Sequence, residues 1–217
     1  VITPGEGARG VFDRFVVPVQ ERVLSGPARM LVSRGITADQ ITLAGFATGL
    51  LSVPLLAFGF FLPALIAILL NRLADGLDGI VARMTKPTDR GAFADIAFDF
   101  AVYAAVPLGF ALADPAQNAL PATILIASFV GTGSSFLAFA VIAAGRGQRA
   151  ADYPTKGIYY LGGLTEGTET ILFFVAACLW PDAFPALALV FAGLCAITAA
   201  TRWHQGWTAF SDPRPKT

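Results

Sequence analysis

Six apolar stretches, each about as long as a helix that crosses a bilayer, follow one another along the chain. A spanning helix needs roughly 20 mostly apolar residues. Only short polar breaks separate the stretches, so consecutive helices are expected to pack antiparallel. The stretches cover residues 40–60, 62–83, 91–113, 119–144, 157–180 and 183–204. The breaks contain helix-interrupting residues, namely Pro63, Pro87, Asp114-Pro115, the segment 146–154 and Pro181.

The first 38 residues are more polar and have a helical period of their own. Val16, Val19, Val23 and Leu24 share one face, and Arg14, Glu21 and Arg22 lie opposite. This pattern predicts an amphipathic helix lying on the membrane surface. The predicted fold is therefore an all-α integral membrane protein, with a juxtamembrane segment over 1–38, a six-helix transmembrane domain over 39–206 and a polar tail over 207–217.

Composition and charge agree with a membrane protein. Hydrophobic residues make up 55% of the chain and charged residues only 14%, whereas soluble domains carry about 25% charged residues. The 15 basic and 15 acidic residues cancel, which argues against nucleic acid as a partner. Cys178 and Cys195 lie in apolar runs without disulfide or metal-ligand spacing, so we expect them to be small core residues.

The basic residues predict the orientation of the chain. All of them except Arg72 lie before the first span, in the second-to-third and fourth-to-fifth connections, or at and beyond the end of the last span. Because positively charged loops stay in the cytoplasm, we expect both termini there. Arg72 lies inside the second span.

Four aspartates lie where charges are unfavourable. An ionised side chain at mid-bilayer costs roughly 2.5–3.5 kcal/mol and usually marks a functional site. Asp75 and Asp78 are three residues apart in the second span, and Asp95 and Asp99 are four apart in the third, so each pair shares a helix face. The short connection between these spans predicts that the two helices are antiparallel neighbours and that the four carboxylates converge near the cytoplasmic surface.

Converging carboxylates repel one another unless a cation lies between them. Oxygen ligands without a nearby histidine or cysteine favour Mg²⁺ or Mn²⁺ over zinc. Two such ions, held by the four aspartates, would suit an in-line displacement at phosphorus. Gly79, Ala82 and Gly91 leave the same region shallow, which would let a phosphorylated ligand approach the backbone or simply permit tight helix packing.

The arrangement resembles the signature of the CDP-alcohol phosphotransferase family. All eight specified positions match in Asp75-x2-Asp78-Gly79-x2-Ala82-Arg83-x7-Gly91-x3-Asp95-x3-Asp99. The six spans and the preceding surface helix are also similar to that family. Residues 37–42 resemble its Thr-Pro-Asn-x-x-Thr segment, with Ala38 and Asp39 in place of proline and asparagine.

The resemblance implies a reaction and a set of roles. Family members transfer a substituted phosphate from a CDP-alcohol, commonly CDP-diacylglycerol, to a second alcohol and release CMP. Asp75, Asp78 and Asp95 would hold the metals, and Asp99 would be a shared ligand and the general base. The cytidine and pyrophosphate site would be formed by Asp75, Gly79, Ala82, Arg83 and Gly91.

The acceptor alcohol is left open by the sequence. Arg146, Arg149 and Lys156 could bind an acceptor phosphate, as in glycerol 3-phosphate or inositol phosphate, or only set the topology. Glu166 and Glu169 are expected two turns inside the fifth span. There they could pair with Arg72 or Lys156, or bind an ammonium-bearing acceptor such as serine or choline.

Two further expectations concern assembly and the competing class of protein. Gly45-x3-Gly49 and Gly163-x3-Gly167 are small-residue patterns that could pack helices within the chain or between chains; together with the family resemblance they predict a homodimer. A transporter or ion pathway is the alternative function, but it predicts charges spread across the bilayer. The charges here gather toward one face, so we expect an enzyme of a bacterial inner membrane with its site facing the cytoplasm.

Overall fold

Helices account for nearly all of the part of the chain that the structure describes. The computed structural model describes residues 13–146 and 163–211, which contain seven α-helices and one short 3-10 helix, Pro181–Ala183. The α-helices are α1 Asp13–Ser33, α2 Ala38–Ala57, α3 Phe61–Met84, α4 Asp89–Ala113, α5 Pro115–Gly145, α6 Gly167–Leu179 and α7 Phe184–Ala209.

Local capping chemistry sets several helix starts. Thr37 precedes α2 and accepts a hydrogen bond from the backbone N–H of Gln40, whose side chain accepts one in return. Thr88 precedes α4 and accepts from Gly91 N–H at 3.0 Å. Asp114 caps α5 in the same way. Such caps satisfy backbone donors that have no partner inside the helix, so the predicted breaks at residues 87 and 114–115 are confirmed.

Four of the six predicted spans are confirmed as helices that can cross a membrane. Within the described residues, α2, α4, α5 and α7 have the necessary length and hydropathy. The 24 residues of α3 would reach about 36 Å at 1.5 Å per residue, but α3 carries four charged side chains. The six-span count and the positions of the termini therefore stay predictions.

The predicted fifth span differs from the structure at its start. Residues 163–166 are not helical, and α6 has only 13 residues; the first part of the predicted span, 157–162, lies outside the described residues. The prediction that Glu166 and Glu169 lie two turns inside a helix is wrong. Glu166 immediately precedes α6. The side chain of Glu169, in the first turn, accepts a hydrogen bond of 3.1 Å from the backbone N–H of Glu166.

Helix α1 packs against the rest of the protein on the face that carries Leu24 and Ala28. Both residues are buried in a cluster with Ile80 and Val81 of α3, whereas Val23 is exposed. The predicted helix is present, but its buried side carries Leu24 and Ala28 and covers the end of α3, while Val23 of the predicted apolar face is exposed. Its place on the membrane surface stays a prediction. The side chains of Arg14, Val16, Val19 and Glu21 lie outside the described part.

The two helices that carry the aspartates share a common support in α2. Both α3 and α4 pack extensively on α2, while their direct backbone contact with each other is slight. The expectation that α3 and α4 are packed neighbours needs this correction: they face each other across a gap. Asp75 and Asp78 of α3 and Asp95 and Asp99 of α4 line this gap.

Glycines allow α2 to approach both helices. A Cβ on Gly45 would lie 2.7 Å from Ala74 Cβ of α3, and one on Gly49 would lie 2.9 Å from Val102 of α4. A Cβ on Gly163, which lies before α6, would clash with the Thr198 side chain of α7. Both predicted small-residue patterns are therefore used for packing within the chain.

A phenylalanine-rich core fills the other side of the bundle. Phe110 of α4 stacks on Phe184 at the start of α7 with ring centroids 4.3 Å apart, and Phe173 stacks on Phe191 at 4.8 Å. Cys178 and Cys195 are buried in this cluster, which confirms that they are core residues.

The close approach of α2 and α3 predicts the effect of one added methyl group. Gly45→Ala should lower the midpoint of thermal unfolding in detergent, because overpacking a helix interface costs about 1–3 kcal/mol. Gly193→Ala is the matched control, since a Cβ there meets nothing within 4 Å. A Gly45→Ala protein as stable as the control would contradict the packing described for α2.

Candidate active site

Three carboxylates from two helices converge in the gap between α3 and α4. Asp75 of α3 and Asp95 and Asp99 of α4 each place an oxygen within 4.8 Å of the other two. All three side chains are partly buried. The structure therefore brings together three of the four aspartates predicted to form the site.

The fourth aspartate lines the same cleft and has its own partner. Asp78 lies one turn beyond Asp75 and is buried, with only 5% of its surface exposed. Its Oδ2 accepts a hydrogen bond of 2.5 Å from the hydroxyl of Thr42 in α2. Buried carboxylates require such donors, so the orientation of Asp78 depends on α2.

The rest of the cleft lining is neutral or apolar. Asn71, one turn before Asp75, donates from Nδ2 to the carbonyl oxygen of Gly45 at 3.0 Å. Phe46 and Phe98 line another side and stack in parallel with centroids 4.0 Å apart. An apolar surface thus lies beside the acid cluster, and its low dielectric strengthens electrostatic interactions in the cleft.

The donor set fits hard divalent cations. Carboxylate oxygens are the ligands that Mg²⁺ and Ca²⁺ take. Two oxygens on opposite sides of one Mg²⁺ lie about 4.2 Å apart, and on opposite sides of one Ca²⁺ about 4.8 Å. Asp75, Asp95 and Asp99 each offer an oxygen within 4.8 Å of the other two, a spacing at which carboxylates can share a divalent cation. The predicted cation site is thus compatible with the geometry.

Residues 79–91, between the two aspartate pairs and called the rim here, lie just beyond the cleft lining at the end of α3 and the start of α4. Arg83 is exposed, and its Nη1 lies 3.4 Å from where a Cβ on Gly79 would be. Ala82 is half-buried beside it. A Cβ on Gly91 would lie 3.0 Å from Asp39 Oδ1, so Gly91 leaves room for the side chain of Asp39.

Asp39 links the start of α2 to the start of α4. Its Oδ2 accepts a hydrogen bond of 3.0 Å from Arg90 Nε within an ion pair. Asp39 is the residue at which the sequence departs from the family's asparagine, and it lies beside Gly91 of the motif. The structure therefore places the departure at the rim of the candidate site.

The predicted acceptor residues lie in different places. Arg146 ends α5 and donates to the carbonyl oxygen of Phe210 at 3.1 Å, with its guanidinium over the same ring. Glu166 is buried and pairs with Arg202 of α7 at 2.7 Å. Arg149 and Lys156 lie outside the described residues. An acceptor role for Arg146, Arg149, Lys156, Glu166 and Glu169 stays a prediction.

Arg202 is a residue that the sequence argument missed. It was counted among the charges that set topology, yet it is only 5% exposed and also donates to Thr132 O of α5 at 3.2 Å. Its position inside the last predicted span was the signal that could have identified it. Asn71 was missed as well, since it carries no charge and belongs to no motif. Thr42 belongs to the segment that resembles the family's Thr-Pro-Asn-x-x-Thr, but its contact with Asp78 was not predicted. His204 is exposed.

Comparison with known proteins gives three consistent matches. The sequence model of a family described as CDP-alcohol phosphatidyltransferase matches residues 35–203. The chain is 52% identical over 197 residues to the inner membrane protein YnjF of Escherichia coli (strain K12), covering 91% of this chain and 96% of that protein. The crystal structure of Mycobacterium tuberculosis phosphatidylinositol phosphate synthase (PgsA1) with CDP-DAG bound is similar with a TM-score of 0.64 and 23% identity, covering 94% of this chain and 100% of that one.

The Thr42–Asp78 hydrogen bond predicts that replacing Thr42 destabilises the protein more than replacing Thr48. Thr42→Val removes a donor to a buried carboxylate, so the free energy of unfolding should fall by about 1.5–3 kcal/mol. Thr48→Val is the control, because the Thr48 hydroxyl donates only to Ala44 O of its own helix among the bonds of the described residues. Equal stability of both variants in thermal unfolding would show that Thr42 does not support Asp78.

Proposed function

The chain belongs to the CDP-alcohol phosphatidyltransferase family, and from this premise we propose that it transfers a phosphatidyl group from CDP-diacylglycerol to an alcohol. The observation that carries the proposal is the convergence of Asp75, Asp95 and Asp99, with Asp78 in the same cleft. These are four of the eight family positions.

Two similar proteins support the choice of CDP-diacylglycerol as donor. The mycobacterial synthase with the same fold has CDP-DAG bound, and the Escherichia coli relative is an inner membrane protein. A membrane protein with its cleft between lipid-facing helices can keep the acyl chains of the donor in the bilayer. The nucleotide would then approach the rim from water.

In the proposed reaction, Asp99 accepts the proton of the acceptor hydroxyl. The acceptor oxygen forms a bond to the phosphorus that carries diacylglycerol, and the bond from that phosphorus to the CMP oxygen breaks. CMP leaves with the electron pair. Asp99 suits the base role because it is partly buried at the inner end of the cluster, one turn beyond Asp95, and a base must lie within hydrogen-bond reach of its proton.

Asp75, Asp78, Asp95 and Asp99 would hold one or two divalent cations, Mg²⁺ or Mn²⁺. Bound there, the cations would neutralise charge on the phosphate oxygens of the donor. Asp75, Gly79, Ala82, Arg83 and Gly91 would bind cytidine and pyrophosphate. The exposed guanidinium of Arg83 can donate to phosphate oxygens, and the missing side chains at Gly79 and Gly91 keep the rim open.

The membrane setting follows from the same family assignment. We expect the rim of the cleft to face the cytoplasm, because Arg83, Lys86 and Arg90 surround it and basic connections stay on that side. A homodimer is proposed on the family alone, since Gly45 and Gly49 are occupied by contacts within the chain.

The decisive experiment follows CMP release and the lipid product together. Purified protein is incubated with CDP-diacylglycerol, Mg²⁺ and radiolabelled glycerol 3-phosphate, inositol phosphate, serine or choline in parallel. Asp99→Asn should lower turnover by at least about 100-fold, the lower range for loss of a general base, while the protein still folds. Asp89→Asn is the matched control: Asp89 is exposed in the first turn of the same helix and should leave turnover unchanged.

No label incorporated from any acceptor, with no CMP released by folded wild-type protein, would contradict the proposed function. Full turnover by Asp99→Asn would remove Asp99 as the base and leave the family reaction standing.

Metal dependence has its own test. Chelation by EDTA should abolish CMP release, and excess Mg²⁺ or Mn²⁺ should restore it, because the four carboxylates need cations to bind a pyrophosphate of the same charge sign. Activity that persists in EDTA after dialysis would exclude a required divalent cation. Asp89→Asn should respond to chelation as the wild type does.

A further inference from the structure

Arg72 is a charged residue inside α3 that belongs to none of the eight family positions. Its Nη1 donates to Asp75 Oδ2 in an ion pair between residues three apart on the helix. The two side chains are 24% and 15% exposed. An arginine at such a site is unfavourable in a bilayer unless paired, and here its partner is one of the cation-binding carboxylates.

Other helices surround the same guanidinium. A Cβ built on Gly167, the first residue of α6, would lie 3.7 Å from Arg72 Nη2 and 3.5 Å from the hydroxyl oxygen of Tyr103 in α4. The guanidinium therefore lies where α3, α4 and α6 meet. Close packing on several sides restricts the rotamers of Arg72, so the ion pair also restricts the carboxylate of Asp75.

The hydrogen bond from Arg72 to Oδ2 of Asp75 affects how Asp75 can bind a cation. A carboxylate with one oxygen bound to a guanidinium offers a cation its other oxygen, in one-oxygen ligation. Mg²⁺ requires near-octahedral geometry at short distances, whereas Ca²⁺ accepts two oxygens of one carboxylate and a flexible coordination shell. Groups that orient a ligand from behind commonly change metal affinity 10–100-fold.

We propose that Arg72 is a positioning residue that holds Asp75 in one-oxygen ligation and so makes the site prefer Mg²⁺ or Mn²⁺ over Ca²⁺. The inference rests on the proposed function, in which the aspartate cluster binds divalent cations. Arg72 acts through Asp75 and is not assigned a contact with the substrate.

A different role for Arg72 would be to offset negative charge. Removing a positive charge next to the cluster would strengthen the binding of every divalent cation to a similar degree, since Mg²⁺ and Ca²⁺ carry the same charge. The ratio of the two affinities is insensitive to that effect. It responds to ligand geometry, which is what the ion pair is proposed to control.

The test measures cation binding by purified protein in detergent, without nucleotide or acceptor. Mg²⁺ and Ca²⁺ compete separately against Mn²⁺, and free Mn²⁺ is followed by electron paramagnetic resonance. In Arg72→Gln the preference for Mg²⁺ over Ca²⁺ should fall by about tenfold. Arg90→Gln is the matched control, because it removes an arginine from the exposed ion pair with Asp39 and should keep the wild-type ratio.

Arg72→Lys keeps the charge and provides a second measurement if Arg72→Gln does not fold. A lysine ammonium is a point charge without the planar geometry of guanidinium, so the preference should still fall, by about two- to threefold, a small part of the effect expected for orienting groups. An unchanged ratio in a folded Arg72 variant overturns the inference. So does an equal fall in Arg90→Gln, or a wild-type protein that binds no divalent cation.

The outcome is separable from the proposed function. A protein that shows the expected ratios but never releases CMP contradicts the transferase proposal alone. A protein that releases CMP while Arg72→Gln keeps the wild-type ratio contradicts the role of Arg72 alone.

Discussion

The packing of α2 against both acid-bearing helices is the constraint on which the candidate site depends. Gly45 and Gly49 let α2 approach α3 and α4 closely, and the gap that remains between those two helices is the cleft. α2 also supplies Thr42 to Asp78 and a backbone acceptor to Asn71. A helix without a single motif aspartate therefore determines both the width of the site and the orientation of part of it. Both helices are attached to the same neighbour, which fixes their separation.

Charges buried in the described bundle have partners of a kind that suits their depth. Asp78 uses a hydroxyl, Asp75 uses a guanidinium, and Glu166 uses Arg202. A hydroxyl satisfies one lone pair and leaves the negative charge in place, whereas a guanidinium also neutralises it. The Glu166–Arg202 pair lies among buried side chains at 5–6% exposure, where an uncompensated charge would be very costly.

Local signals in the sequence predicted the parts of the fold that depend on local chemistry. Proline and capping residues such as Asp114 end or begin helices by their own geometry, so those boundaries could be predicted closely. The start of α6 was placed too early, because residues 157–180 were assigned to one span although residues 162–170 are mostly glycine, threonine and glutamate. The four aspartates were predictable because their spacing is periodic on two helices. Thr42 and Asp78 are 36 residues apart, and a single contact between distant positions leaves no periodic trace. Arg202 was overlooked although the rule that identified Arg72 applies to it equally.

The burial of Glu166 against Arg202 closes the last two helices into a loop held at both ends. Glu166 precedes α6 and Arg202 lies near the end of α7, with only the turn around Pro181 between the two helices at their other ends. Removing either partner would leave a buried charge without compensation. Paired, the two groups present a neutral unit. The 13-residue α6 is therefore tied to α7 by the chain at one end and by the ion pair at the other.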